Sequence, residues 1–583
     1  MFHLGIAYGH NATVAVVSGG RLIFCQSEER LCRAKNATGF PYQTLAHVYR
    51  HVCRPEEVAS CTLFQAGGAG YLALKVHGFR TQQLSHNLGP DVFRVWRSMT
   101  PEALAASAAH HLQSTRAAGL SPETIDEARR WFASAAGLPL DKLVHLDHHL
   151  THTLSALPFL DDGGAGETLV FTLDGEGDDI CASVCTLKGG NLSMLSTAPD
   201  HCSVGKIYAH VTELLGFKTL EHEYKVMGLA PYAKPEYFRA LVERFRALLW
   251  IDAEGAWRGS YPDRCTMAVK LAELCELQRF DAVSGALQEF TETAICDWIQ
   301  HWVEKTGIRA IACAGGVFMN VKANQRVLAL ECVERMAVVP SCGDESTAIG
   351  CAVHGSRTLE PATSIVPQRH LYLGQEYDDR SVEAVVRGGG FDSLFQVSEP
   401  NDLPGAIARL LADGEVVARC AGPMEFGARA LGNRSILSHP GRIENISFIN
   451  DAIKNRDFWM PFAPTVLDDA VGELVEDGGR MASPFMMVSF DATARGRRDL
   501  AAALHRADFT LRPQMLTRDA NPDYHALIGA FRGLTGIGAV LNTSFNLHGE
   551  PIVGSPVDAI QTMAASGLRH LVLNKLLLSR PAA

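Results

Sequence analysis

Short apolar blocks separated by glycine-containing turns open the chain, and this alternation predicts β-strands rather than helices. A second stretch, residues 168–196, shows the same order of blocks and turns. Each copy consists of a strand, a tight turn, a second strand and a Gly-Gly turn, so the two copies indicate an internal duplication. The predicted strands are residues 3–7, 13–17 and 21–25 in the first copy and residues 169–173 and 180–186 in the second.

This repeat predicts an α/β fold of a duplicated, actin-like type. Each β-turn-β unit would open one half of the domain, and the two turns would face each other across a cleft for a nucleotide. Glycine suits such turns because it lets backbone N–H groups approach phosphate oxygens closely. Taken alone, either turn is better interpreted as an ordinary hairpin.

Polar turns that follow predicted strands mark candidate binding positions farther along the chain. Residues 308–313 and 335–339 are predicted as buried strands, and residues 203–215 and 284–306 as amphipathic helices. Ligands of open α/β sheets bind beyond the carboxyl ends of strands, and a helix that follows paired glycines can face a phosphate or ribose. The candidates of this kind are Asp174, Gly315, Gly316, Asn320 and Asp344, and Lys225 and Gly228 stand in a segment predicted as a turn lining a cleft.

Composition limits the classes of protein that the chain can represent. At 583 residues, the chain is too long to fold around a single hydrophobic core, so we expect two to four domains. With 47% hydrophobic residues and a net charge of −11, we expect a globular protein whose main site is not a nucleic-acid groove. The sequence has no run of about 18 apolar residues, so we expect no membrane span. We also expect no signal peptide, because no basic region precedes an apolar run at the N-terminus. The 15 scattered cysteines lack a Cys-x-x-Cys pair, which favours free thiols in a reducing cytoplasm.

Two histidines four residues apart are the main candidates for metal chemistry. On a helix, His148 and His152 would lie on one face, close enough to share an ion. Neutral imidazole suits iron, zinc and similar metals. Asp174 and Asp344, at the ends of predicted strands, would complete a four-ligand site. The alternative interpretation is that the histidines only cap or pack the helix.

Basic residues among glycines mark the second half of the chain, after a predicted linker at residues 355–375. Guanidinium groups bind phosphate or carboxylate through paired hydrogen bonds, so this cluster in an acidic protein predicts an anion pocket. Surface salt bridges are the alternative interpretation. The basic residues of the two densest stretches are Arg429, Arg434, Lys454 and Arg456, followed by Arg512 and by a polar stretch at residues 542–546.

Six motifs in order give the chain a family resemblance. They are HHLTH at 148–152, EYKVMGLAP at 223–231, AGGV at 314–317, GARALGNRS at 427–435, PFAP at 461–464 and NTSFN at 542–546. With these motifs, the chain resembles the O-carbamoyltransferases of antibiotic and nodulation-factor biosynthesis over essentially its whole length.

The resemblance implies two domains and an ATP-dependent reaction. Residues 1–358 would form an actin/Hsp70-like (ASKHA, Kae1-like) domain, with an insertion at about 68–140 whose periodicity predicts helices at 101–118 and 122–136. Residues 370–583 would form an α+β YrdC-like domain that makes carbamoyladenylate from carbamoyl phosphate and ATP. The N-terminal domain would transfer the carbamoyl group to a hydroxyl of a natural product or sugar. The implied cofactors are Fe²⁺ or another divalent transition metal and ATP as co-substrate, while Mg²⁺ and a homodimer are left open.

The family also implies roles for individual residues. His10 would be the general base beside the acceptor hydroxyl, with Lys35 nearby. Because Asn11 replaces the family's usual aspartate, the pKa of His10 is expected near its ordinary value of about 6.5. The metal ligands would be His148, His152, Asp174 and Asp344; the nucleotide would be held by Lys225, Gly228, Gly315, Gly316 and Asn320; and carbamoyl phosphate and the adenylate by Arg429, Lys454, Arg512, Ser544 and Asn546. Further departures from the family pattern are Pro423, Ala428, Met460 and His548.

Two other functions remain open at this point. An enzyme of tRNA threonylcarbamoylation would share both domain types, although the negative charge argues against nucleic acid as a partner. A kinase or ATPase of the actin-like class would share the first domain but leaves the C-terminal basic residues unexplained.

Overall fold

The computed structural model describes residues 1–64, 122–389, 391, 394–454, 456–478 and 481–580. The chain forms two compact units, and each has a mixed α/β fold. The N-terminal unit contains Met1–Ile23 and Ala37–Gln368, and the C-terminal unit contains Phe24–Asn36 and Arg369–Ala583. The short segment Phe24–Asn36 therefore belongs to the C-terminal unit, an assignment that no pattern in the sequence indicated.

The N-terminal unit is built on two five-stranded sheets with the same strand order, and the edge strand Arg21–Ser27 of the first sheet continues into the segment assigned to the C-terminal unit. In each sheet the central strand pairs antiparallel with the strand that follows it in sequence and parallel with a later strand, whose other neighbour is also parallel. The predicted duplication is therefore confirmed at the level of the strands. The first sheet has the order Arg21–Ser27, Thr13–Ser18, Phe2–Ala7, Val58–Phe64, Leu143–Leu146, and the second Asn191–Pro199, Ile180–Lys188, Glu167–Gly177, Ala310–Ala314, Arg335–Val338.

Helices cover these sheets, and one of them sets the geometry of the later site. Helix Thr347–Leu359 packs against strands of the first sheet and against helix His148–Ser155. At Gly350 a Cβ atom would overlap the carbonyl oxygen of Thr151, so glycine permits the two helices to approach this closely. The other helices of the unit are Tyr42–His51, Pro122–Ala136, Val204–Leu214, Glu223–Leu229, Pro235–Leu248, Arg264–Cys275, Phe280–Thr306 and Val321–Leu328, and a small hairpin pairs Leu249–Ile251 with Trp257–Gly259.

The C-terminal unit is built on one eight-stranded mixed sheet. Its apolar core lies between this sheet and the helices, and includes Ile436, Leu541 and Phe545. The strand order is Gln396–Ser398, Leu576–Ser579, His570–Leu573, Val417–Cys420, Arg434–Ser438, Ala539–Ser544, Ala463–Leu467, Gln514–Leu516, and a separate hairpin pairs Phe490–Asp491 with Thr510–Leu511. The helices are Glu29–Cys32, Asp379–Gly388, Leu403–Asp413, Glu444–Ile449, Val471–Leu474, Ala494–Asp499, Pro522–Thr535 and Pro556–Ala565, with a π-helix at Asn450–Lys454.

Three sequence predictions about local structure need correction. The linker predicted at 355–375 begins later, because buried Gly355 and Ser356 continue the helix to Leu359. The segment with Lys225 forms helix Glu223–Leu229 rather than a turn; its glycine is buried inside the helix, and Pro231 falls in the following 3₁₀ segment. The long helix predicted at 284–306 already begins at Phe280, one turn earlier, where Ala282 and Val283 are buried but Phe280 is exposed.

The insertion predicted at about 68–140 lies mostly outside the described residues, as does the helix predicted at 101–118, whereas the helix at 122–136 is present. Within the described chain, no helix has the length and apolar character needed to cross a bilayer. The cysteines that the structure describes are free thiols, as predicted, and most are buried.

Candidate functional site

The N-terminal unit brings two histidines together on one short helix. Helix His148–Ser155 begins after Asp147, whose Oδ1 accepts a hydrogen bond from the backbone N–H of Leu150 at 2.8 Å. This cap fixes the start of the helix, so His148 and His152 lie one turn apart on the same face. Their Nε2 atoms are 3.1 Å apart and both side chains are fully buried. Their Nδ1 atoms lack a hydrogen-bond partner among the described residues, so the rings are oriented by packing and by the contacts of their Nε2 atoms.

Two carboxylates complete this group of side chains. Asp174 lies near the end of the central strand of the second sheet, and Asp344 lies in a turn after an edge strand of the same sheet. Asp174 Oδ2 lies 3.0 Å from Nε2 of His148 and 3.3 Å from Nε2 of His152. Asp344 Oδ1 lies 3.6 and 3.8 Å from the same two nitrogens. The four residues, with donor atoms all within 4.8 Å of one another, form the candidate metal-binding site that we call the His-Asp cluster.

Charges within the His-Asp cluster stabilise one another. Burial lowers the pKa of His152, but Asp174 and Asp344 outweigh burial and raise the pKa to about 9. Burial also raises the pKa of Asp174, yet His148 and His152 bring it well below its ordinary value. Imidazole and carboxylate together suit divalent transition metals such as iron and manganese. A dication would replace the protons that the cluster shares, so the residues present fit a metal ion.

His10 extends the cluster from the first sheet. It lies in the turn after strand Phe2–Ala7, where Asn11 has a φ of 55°, a left-handed conformation that asparagine tolerates. His10 Nε2 lies 3.0 Å from Asp344 Oδ2. Burial lowers the pKa of His10, but Asp344 raises it to about 9. The expectation of a pKa near 6.5 is therefore wrong for the metal-free protein, because a distant residue supplies the carboxylate that position 11 lacks.

The C-terminal unit contains a pocket of the opposite charge. Arg429, Arg456 and Arg512, together with Ser544, line a small pocket, which we call the arginine pocket. Burial, followed by repulsion from the two other arginines, lowers the pKa of Arg512 well below its ordinary value. Nε of Arg512 has no hydrogen-bond partner among the described residues. A bound anion would both accept this hydrogen bond and neutralise the repulsion.

Lys454 lies beside the arginine pocket and organises its polar wall. Its buried ammonium donates to the carbonyl oxygen of Ser544 at 2.5 Å and to its Oγ at 3.1 Å. It also donates to the carbonyl oxygen of Asn546 at 3.0 Å and to its Oδ1 at 2.7 Å. Burial lowers the pKa of Lys454 far below its ordinary value, and Arg456 and Lys35 add to the shift. The charge of Lys35 thus contributes to the electrostatics of the C-terminal unit, to which Lys35 belongs.

Comparison with known proteins assigns the chain to a family. Residues 81–353 match the family model Carbamoyltransferase N-terminus, and residues 408–580 match Carbamoyltransferase C-terminus. The chain is 30% identical to nodulation protein NolNO of Sinorhizobium fredii over 584 residues, which cover 98% of this chain and 79% of that protein. The chain belongs to the carbamoyltransferase family. It is also 33% identical to nodulation protein NolO of Bradyrhizobium diazoefficiens over 448 residues, or 75% of this chain and 80% of that protein.

The similarity to solved structures is remote. Full-length HypF, in a phosphate- and nucleotide-bound form, is 12% identical and matches 62% of this carbamoyltransferase and 46% of HypF. The TM-score is 0.35, which is too low to support a structural inference.

The glycines predicted to hold a nucleotide lie directly beside the His-Asp cluster of this carbamoyltransferase. Gly315 has a φ of 93° and packs against the backbone of Leu173. The N–H of Gly316 donates to Asp174 Oδ1 at 3.0 Å. Asn320 caps helix Val321–Leu328 through Oδ1, so its side chain already serves the local fold.

Lys225 and Gly228 lie on helix Glu223–Leu229 of the same unit. The ammonium of Lys225 lies 5.7 Å from the centroid of the Phe217 ring, and Gly228 is buried. A cation over an aromatic face is a local stabilising contact, so the described geometry of Lys225 does not by itself indicate a ligand.

Sequence reasoning did not separate two arginines of the basic stretches. Arg456, which was not singled out as a site residue, lies in the arginine pocket with its guanidinium 5.0 Å from the centroid of Phe462. Arg434, in contrast, is buried, and its NH1 donates to the carbonyl oxygens of Ala421 and Gly422. Arg456 thus lines a pocket, whereas Arg434 stabilises the local backbone through hydrogen bonds to carbonyl oxygens. Only the position of Arg456 two residues after Lys454 hinted at its placement.

Proposed function

We propose that this carbamoyltransferase is an ATP-dependent O-carbamoyltransferase. It would make carbamoyladenylate from carbamoyl phosphate and ATP, and then transfer the carbamoyl group to a hydroxyl of a small-molecule acceptor such as a natural product or a sugar. One observation carries the proposal: a single chain holds both a buried His-Asp cluster suited to a metal ion and a pocket lined by three arginines. The first suits transfer to a hydroxyl, and the second suits phosphate chemistry.

The first half-reaction belongs to the arginine pocket in this proposal. Water cleaves carbamoyl phosphate to carbamate and inorganic phosphate, carbamate attacks the α-phosphorus of ATP, and pyrophosphate leaves. Arg429, Arg456 and Arg512 bind the phosphate groups and stabilise the charge that develops on pyrophosphate. Lys454 orients Ser544 and Asn546, because its ammonium binds both of them.

The second half-reaction belongs to the N-terminal unit. His10 accepts the proton of the attacking hydroxyl, and Asp344 stabilises the imidazolium that forms. The His-Asp cluster would hold a divalent metal, Fe²⁺ in this proposal, which when bound polarises the carbamoyl carbonyl. A dication on Asp344 would also withdraw negative charge from His10, and so lower the pKa of His10 from about 9 towards the working pH.

The proposal includes a fold for each part of the chain. The duplicated sheet order supports an actin-like, Kae1-like domain over residues 1–358, with the glycine turns near Gly315 for a nucleotide. The mixed eight-stranded sheet, one strand of which carries Ser544 of the arginine pocket, supports a YrdC-like domain over residues 370–583.

The proposal is tested by product analysis. The purified protein is incubated with carbamoyl phosphate, ATP, Mg²⁺ and a panel of alcohols, and products are measured by mass spectrometry. We expect AMP and an acceptor that has gained one carbamoyl group. Release of ADP without a carbamoylated product would favour a kinase or ATPase, and carbamoylation that requires tRNA would favour the tRNA-modifying enzyme.

A further inference from the structure

A second group of charged residues lies beside the His-Asp cluster in the N-terminal unit. Lys206, on helix Val204–Leu214, has its Nζ 3.0 Å from Oε1 of Glu176. Arg264 contacts the other carboxylate oxygen of Glu176 and lies 3.2 Å from Asp200 Oδ2. Glu176 is therefore held between two cations, and its carboxylate fixes the position of the Lys206 ammonium.

The helix that carries Lys206 is tied to the strand that carries Asp174. Oγ of Ser203 accepts a hydrogen bond from the backbone N–H of Lys206 at 3.0 Å and donates to the carbonyl oxygen of Asp174 at 3.1 Å. The Lys206 side chain lies over Gly175, with Nζ 3.9 Å from the place that a Cβ atom there would take. The ammonium is thus held at the turn that contains a candidate metal ligand.

Lys206 is only partly buried and keeps capacity to bind a ligand. Its side chain is 26% exposed, and Glu176 is its ion-pair partner among the described residues. An ammonium has three N–H donors, and this contact with one carboxylate oxygen leaves donors for another acceptor.

We propose that Lys206 binds the phosphate of the departing nucleotide during carbamoyl transfer, and that Glu176 and Arg264 position its ammonium for this contact. The inference rests on the proposed function, because it assigns a residue to the second half-reaction.

The chemistry of the transfer explains why a fixed cation is needed here. The acceptor oxygen bonds to the carbamoyl carbon, the bond from that carbon to the phosphate oxygen breaks, and the hydroxyl proton passes to His10. AMP leaves with the bonding electrons, so negative charge grows on its phosphate. The carboxylates of Asp174, Asp344 and Glu176 repel that charge, whereas the ammonium of Lys206 stabilises it.

The test compares Lys206→Met with Lys206→Arg and with the control Lys188→Met. Lys188 is an exposed lysine of the same unit whose partner, Glu167, lies 3.2 Å away. Three quantities are measured in the full chain: AMP release with water as acceptor, carbamoyl-phosphate-dependent exchange of pyrophosphate into ATP, and affinity for Mn²⁺. The first reports transfer, the second reports adenylate formation, and the third reports the state of the His-Asp cluster.

We expect Lys206→Met to slow AMP release by about 100-fold, in the range found for removal of one group that stabilises developing charge. Exchange should be unchanged, and Mn²⁺ should bind about threefold more tightly because a positive charge near the ligands has been removed. Lys206→Arg should recover part of the AMP release, and Lys188→Met should match the unmodified protein in all three measurements.

Unchanged AMP release in Lys206→Met would overturn the inference, as would loss of pyrophosphate exchange in that variant. Weaker Mn²⁺ binding would also overturn it, since a residue that merely holds the fold would lose metal and activity together. Failure of the unmodified protein to exchange pyrophosphate is a different outcome: it would reject the proposed function, and the inference with it.

Discussion

In the N-terminal unit, the carboxylate of Asp174 lies within hydrogen-bonding distance of two imidazoles and that of Asp344 within hydrogen-bonding distance of a third. In the C-terminal unit, by contrast, three arginines line one pocket and repel one another. The His-Asp cluster can balance its charge by sharing protons, so its geometry needs no ligand. Among the described residues that line the arginine pocket, no acidic side chain compensates Arg512, whose pKa is lowered by burial and by its two basic neighbours. A metal ion that bound at the first site would therefore compete with protons, while an anion that bound at the second would relieve repulsion.

The largest expected effect is the loss of metal affinity when a ligand of the His-Asp cluster is deleted. His152→Ala deletes a direct donor, so we expect metal affinity to fall well beyond the roughly 10–100-fold change typical of residues outside the ligand shell. Elemental analysis of the purified variant measures this. The matched control is His149→Asn on the same helix, since His149 contacts Thr172 Oγ1 at 2.7 Å and is not a member of the cluster. Full metal content in His152→Ala, or equal loss in both variants, would contradict the assignment.

The second prediction concerns a substitution in the arginine pocket that should raise stability and lower activity. Arg512→Met removes a charge that repels Arg429 and Arg456, so the free energy of unfolding should rise by about 1–2 kcal/mol. The variant should also lose activity, because changes that stabilise a functional site often impair its function. Inorganic phosphate should raise the melting temperature of the unmodified protein and leave that of Arg512→Met unchanged.

The control for this experiment is Arg569→Met in the same unit. Arg569 forms an exposed ion pair with Glu415 at 3.1 Å, which contributes little to stability. Chemical denaturation and thermal scans with and without phosphate measure both effects. The comparison between the two sites would fail if Arg512→Met were destabilised while Arg569→Met stayed neutral.

The smallest expected effect is a pH dependence of stability in the metal-free protein, which bound metal should reduce. His10 and His152 have folded-state pKa values of about 9 in the metal-free protein, above the unfolded value of about 6.5. Their contribution is therefore fully present below pH 6.5 and is lost as the pH rises to about 9. Because His10 is 39% exposed, solvent reduces its share, and most of the effect should come from His152.

Melting temperatures between pH 6 and 9.5, with a chelator and with saturating metal, test this prediction. We expect a decline of several degrees in the metal-free protein and a flatter profile in the loaded one. A flat profile without metal would mean that the two histidines are not stabilised by Asp174 and Asp344 as described.

Local patterns in the sequence predicted the parts of the fold that depend on neighbours in the chain. The alternation of apolar residues predicted the repeated strands, and the spacing of His148 and His152 predicted two imidazoles on one helix face. The ends of two predicted strands then indicated Asp174 and Asp344, which the family resemblance also named, and the structure brings both carboxylates to those imidazoles. The roles of these residues in binding and catalysis stay predictions.

Long-range packing determined what the sequence did not predict. The carboxylate beside His10 comes from Asp344, which is 334 residues away, so inspection of position 11 gave a wrong pKa. Arg434 and Arg456 lie in similar basic stretches, yet only the latter lines the arginine pocket. The placement of Phe24–Asn36, and with it Lys35, in the C-terminal unit likewise had no local signal.

The central claim is that the two sites carry separate half-reactions. Carbamoyl-phosphate-dependent exchange of pyrophosphate into ATP, compared in His152→Ala and Arg512→Met, tests it most directly. We predict that His152→Ala exchanges as fast as the unmodified protein, while Arg512→Met loses exchange by more than about 100-fold yet keeps its metal. Equal loss of exchange in both variants, or full exchange in Arg512→Met, would contradict the claim.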